Sequence, residues 1–174
     1  MSNPSKVVPP ANFSNEPQAP ALHPPAQHQE LELRILNTAL GMELAALGRY
    51  KACYFLALNL NRPDAAEHFI EHAEDIEDDI DQLVEHILIG GGIAEFSAET
   101  LLKNRASDSL AHQRLRELTR GDLRFERDEL KHYYELLSAL ENRYPETERV
   151  LKEIQSKKEQ RLNALEHTIS PLED

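Results

Sequence analysis

An acidic residue set into the apolar stripe of a helix occurs twice in this chain, and a lysine takes the same position in a third stripe. Glu43 interrupts the series Leu36, Leu40, Leu47, Tyr54; Glu126 lies within Leu123, Leu130, Tyr133, Leu137; Lys158 breaks Leu151, Ile154, Leu162, Leu165. Helical spacing turns each of these side chains toward the neighbouring helices. A carboxylate in that position is costly unless a metal, a proton or an opposite charge compensates it. The pattern predicts a helical bundle around an internal charged site, with Lys158 competing with a metal as the compensating charge.

The same periodicity predicts four long helices, at about 29–60, 65–88, 109–141 and 146–170, and no strand. Asn61-Arg62-Pro63-Asp64 supplies the first turn, with Asp64 as the expected cap of the second helix. Gly90-Gly91-Gly92 ends that helix, and Asn142-Arg143-Tyr144-Pro145 breaks the third from the fourth. Residues 93–108 read as a crossover holding one short helix at about 97–103. Two tight hairpins joined by a long crossover define an all-α four-helix bundle with the crossover between its second and third helices. Residues 1–28 carry seven of the chain's ten prolines among Ser, Asn, Gln and Ala, which predicts an extended or disordered tail. The bundle is expected over 29–170, with 171–174 as a short terminal end.

Composition narrows the function classes. A formal net charge of −12 argues against nucleic acid or an anionic membrane as partner. No apolar run approaches the roughly 20 residues a membrane span needs, and the basic-then-apolar layout of a secretory signal is missing. The single cysteine, Cys53, suits a reducing cytoplasm and reads as a small packing residue rather than a nucleophile. No serine or cysteine nucleophile with a matched base stands out, and no glycine-rich phosphate loop is present. The tail over 1–28 is either solvated or a place for contact with a protein partner.

Specific segments resemble bacterioferritins, of the ferritin-like superfamily. Leu36-Asn37-Thr38-Ala39-Leu40-Gly41-Met42-Glu43-Leu44, followed by Ala46 and Tyr50, looks like the family's first helix. Leu83-Val84-Glu85-His86-Ile87-Leu88 is similar to the end of the second, and Asp122-Leu123-Arg124-Phe125-Glu126 to the third-helix site. Val150-Leu151-Lys152-Glu153-Ile154 and Leu165-Glu166 resemble the fourth, so the likeness spans about residues 30–170. It implies a ferritin-like bundle, iron as the metal, Glu43 and Glu126 as ligands, and Tyr50 beside the metal as a catalytic or electron-transfer residue.

The resemblance also implies a Glu-x-x-His on the second and fourth helices. In the gapless register these positions hold Ile76 and Asp79, then Lys158 and Arg161. The sequence therefore offers Glu43, Asp79 and Glu126 as metal ligands, with Glu77 or Glu159 joining them if helix two or four turns by one position. A site of carboxylates alone suits iron or manganese and holds one ion, two, or none. In the last case Lys158 and Arg161 pair with the carboxylates. His72 lies on the second helix's apolar stripe and is expected to be a buried, hydrogen-bonded core histidine. The methionine that binds haem in bacterioferritins is replaced by Glu77, so no haem is expected. The family's short fifth helix has no counterpart, which favours a dimer or a larger homo-oligomer other than a closed shell. Three functions compete: iron handling at an altered site with ferroxidase-type activity if metal binds, a metal-free structural or interaction role, and an enzyme acting on an organic substrate.

Overall fold

The computed structural model describes residues 27–96 and 115–169. Four helices account for nearly all of them: α1 (Gln27–Asn59), α2 (Pro63–Ile89), α3 (Leu115–Leu140) and α4 (Pro145–Ile169). The buried apolar residues of α2, namely Ala66, Phe69, Ala73, Ile76, Ile80, Leu83 and Ile87, recur at alternating intervals of three and four, with the buried Asp79 beside Ile80. That is the seam of a left-handed supercoiled bundle, in which knobs of one helix enter holes of the next. In α1 the same rhythm runs through Leu36, Ala39, Glu43, Ala46, Tyr50, Cys53 and Ala57, all buried. Small residues dominate it, and with Ala66 and Ala73 they leave room for α1 and α2 to approach closely. The seams of α3 (Asp122, Glu126, Glu129, Tyr133, Leu140) and α4 (Leu151, Ile154, Lys158, Arg161, Leu165) follow it too. The inward charges thus occupy core positions of the supercoil.

Contacts between helices fix their directions. As α1 runs from Glu43 through Tyr50 to Cys53, its partners on α3 run backward from Tyr133 through Glu126 to Asp122. Likewise α2 meets α4 backward, Asp79 against Arg161, Gln82 against Glu153 and His86 against Thr147. Every adjacent pair is antiparallel, so α2 and α3 run the same way, the order that a crossover between them requires. Residues 97–114, which make that connection, lie outside the described residues. So do the short helix expected at 97–103, the first residues expected of the third helix, and most of the tail.

The turns follow from local chemistry. Gly91 adopts φ 73, and the Gly92 N–H donates to the Ile87 carbonyl, closing the end of α2. At the first turn the expectation fails in detail: α2 starts at Pro63, with Arg62 at the cap position and no side-chain cap hydrogen bond. Proline's fixed φ suits the first helical position, which moves Asp64 inside the helix, where its charge faces the positive end of the helix dipole. Between α3 and α4, Glu141 and Asn142 both adopt positive φ, 49 and 57, before Pro145 opens α4.

Candidate functional site

The seam charges converge at the bundle centre. Lys158 has no exposed surface, and its Nζ lies 3.1 Å from Glu43 Oε1 and 2.5 Å from Glu129 Oε2. One turn along α4, Arg161 Nη1 lies 3.3 Å from Asp79 Oδ2, and its Nη2 lies 3.8 Å from Glu43 Oε2. Tyr133 donates its hydroxyl to Glu43 Oε1 at 2.5 Å and lays its ring 5.5 Å from the Lys158 ammonium. Lys157 reaches in from the rim to Asp79 Oδ1 at 2.6 Å. All four helices contribute: Glu43 from α1, Asp79 from α2, Glu129 and Tyr133 from α3, and the cations from α4.

A second layer adjoins it. Tyr50 donates to Glu126 Oε1 at 2.7 Å, leaving Glu126 Oε2 enclosed and without a hydrogen-bond partner. Arg49 Nε donates to Asp122 Oδ1 at 2.5 Å, and the Cys53 thiol lies 3.4 Å from Asp122 Oδ2. Gly121 lies against this pair, and a Cβ there would stand 2.8 Å from Arg49 Nη2, the far end of a flexible side chain that would have to shift. Cys53 is fully buried, and burial and the Asp122 charge push its thiol well above the ordinary value. It packs and hydrogen-bonds, as expected of a non-nucleophilic cysteine.

Four carboxylates (Glu43, Asp79, Glu126, Glu129) share the centre with three cations (Lys158, Arg161, Lys157). Burial opposes the charge on Lys158, but Glu129, Glu43 and Glu126 more than offset it and hold the ammonium protonated. Arg161 is held charged in the same way, by Glu126, Glu43 and Asp79 against burial. The unmatched negative charge falls on Glu129, whose carboxyl burial pushes up to about 8 despite the nearby lysine. Burial and the Glu43 and Glu126 charges favour a proton on Glu129, and the Lys158 ammonium opposes it. Asp122 rises to about 6, chiefly through burial, and Asp79 rises for the same reason.

Of the residues singled out from sequence, Glu43, Asp79, Glu126 and Tyr50 are buried at the centre with Lys158 and Arg161. Glu77 and Glu159 are not with them. Glu77 is exposed and paired with Lys51 at 3.1 Å, while Glu159 accepts from the exposed Tyr134 hydroxyl at 2.9 Å. A helix has one inward face, and Ile76 and Lys158 take the inward places on α2 and α4. His72 also departs from expectation: it is half-buried, and neither ring nitrogen has a hydrogen-bond partner. Sequence reasoning missed Glu129, Asp122, Arg49, Tyr133's hydroxyl and Lys157. The spacing Glu126-x-x-Glu129 was the available signal for Glu129, since residues three apart share a helical face.

A family model of the ferritin-like domain matches residues 33–174. The chain belongs to the ferritin-like family, and the four-helix bundle described above is consistent with that fold. No curated protein matched the sequence. Ferritin-like di-iron bundles take one Glu from each of two helices and a Glu-x-x-His from each of the other two. Here α2 offers Ile76 and Asp79, and α4 offers Lys158 and Arg161, all buried. Among the described residues no three His, Cys, Asp or Glu side chains are grouped to hold a metal ion. An ammonium within 3.1 Å of Glu43 and a guanidinium beside Asp79 put fixed positive charge among the carboxylates. The residues present do not fit a di-iron centre. No helix of the described residues is long and apolar enough to cross a membrane.

Proposed function

We propose that this is a ferritin-like protein of bacterioferritin descent whose di-iron site is degenerate, and that it serves a structural or protein-interaction role. The observation that carries this is the Lys158 ammonium, fully buried and bonded to both Glu43 and Glu129. With Arg161 it supplies from the chain the positive charge that the family's metals bring, so the bundle keeps its acidic interior without them. Its work then lies on the surface or in residues 1–28, in a cytoplasmic protein that is dimeric or larger. Iron handling is the second reading, supported by two atoms: Glu126 Oε2 and Glu43 Oε2 are enclosed without a hydrogen-bond partner and suit a single hard cation.

Oxygen consumption on adding ferrous ion separates the two. The wild-type protein should add nothing to the protein-free rate. The variant Ile76→Glu, Asp79→His, Lys158→Glu, Arg161→His rebuilds both Glu-x-x-His pairs and should gain uptake. Wild-type uptake that disappears in Glu43→Gln or Glu126→Gln would overturn the metal-free proposal in favour of iron handling.

A further inference from the structure

Away from the Lys158 cluster, α2 carries a second group of side chains that the account above does not use. His68 and His72 stand one helical turn apart, their ring centroids separated by 4.3 Å and their planes at 81°. His68 Nε2 and both ring nitrogens of His72 are enclosed with no hydrogen-bond partner. Buried polar atoms are nearly always satisfied, and three unsatisfied nitrogens on two adjacent imidazoles ask for a missing partner. The protein around them does not supply one. The Tyr50 ring lies 5.6 Å from His72, but its hydroxyl is already given to Glu126. Arg161 on α4 makes no hydrogen bond to either ring, although its own Nε and Nη2 are unpartnered donors, and it repels a proton on His72; Phe69 is apolar.

Two neutral imidazoles four residues apart on one helical face form the ligand pair by which helical zinc sites hold their metal. Burial keeps both rings in the neutral, coordinating form, with His72 lowered to about 4 by burial first and then by His68 and Arg161. Both residues are only half-buried, so a metal ion is reached when the rings turn their enclosed nitrogens toward solvent. The sequence reads His68-Phe69-Ile70-Glu71-His72, with the exposed Glu71 beside the pair. This is the His-x-x-Glu-His spacing of inverted zinc motifs, in a helix as that motif requires.

We propose that His68 and His72 chelate one borderline divalent transition-metal ion, of which zinc is the probe, with water completing the coordination. Nitrogen ligands favour zinc, nickel or copper over the hard cations that suit carboxylates, so this site is chemically distinct from the bundle centre. The site is one of binding; no third protein ligand is assigned and no hydrolysis follows.

Calorimetric titration of zinc chloride into the full chain at pH 7 tests it. One ion per chain is expected, and His68→Gln or His72→Gln should each weaken binding by at least about tenfold, while Glu159→Gln should leave it unchanged. Absence of binding, or binding that survives both histidine substitutions, would overturn the proposal. Copper(II) electron paramagnetic resonance on the wild-type protein needs no variant to fold. Two-nitrogen ligation supports the site, and an all-oxygen spectrum at the first equivalent refutes it.

Discussion

At Lys158 a charged side chain with no exposed surface bridges carboxylates from two other helices. Replacing it by Met would leave those carboxylates unpaired in the interior, so Lys158→Met should cost about 3–5 kcal/mol in denaturant unfolding. A change below about 0.5 kcal/mol, as at an ordinary surface site, would show that the ammonium compensates nothing. Glu129 gives a second test. Burial raises its folded carboxyl from the unfolded value of 4.5 toward about 8. Between those values the folded state holds the extra proton, so stability falls as pH rises. Asp122 adds to the fall only up to about 6, and His72 acts oppositely, costing stability as pH drops from 6.5 toward 4. From pH 6.5 to 8, therefore, unfolding free energy should decline with rising pH in the wild type, and Glu129→Gln should flatten that decline. A wild-type profile that rises through this window would remove the proton from Glu129. At this scale the sequence was partly legible. Glu43, Glu126 and Lys158 were visible because charge stands out against an apolar stripe, whereas Arg161 was found only through the resemblance. Glu129 and Asp122 were hidden because α3 is rich in charged residues, and periodicity alone does not say which of them face inward.

For the helices themselves, pattern sufficed. All four lie within about two residues of their expected bounds wherever they are described, because apolar periodicity, proline and glycine agree at each end. On α2 and α4, Ile76, Asp79, Lys158 and Arg161 face inward and Glu77 and Glu159 outward. What pattern could not give was the cap at Arg62, where proline at the first helical position displaced the better capping residue by two places. Nor could it show that Thr147, in the first turn of α4, is fully buried and tied to both Glu32 and His86. That link joins α1, α2 and α4 at one end of the bundle, and it depends on tertiary approach rather than local propensity.

Across the whole molecule, the ferritin-like order brings two antiparallel hairpins together so that carboxylates from α1, α2 and α3 face cations from α4. The fold is the family's; the compensating charge is the chain's own. One architecture can serve either chemistry because a bundle core needs charge neutrality, not a particular source of it. Elemental analysis of the protein, loaded anaerobically with excess ferrous ion and then desalted, tests that claim most directly. The account predicts no iron retained above the buffer background, with helix content unchanged. Close to two irons per chain, the complement of an intact di-iron bundle, would contradict it, because the buried ammonium and guanidinium would then have to leave the positions they hold.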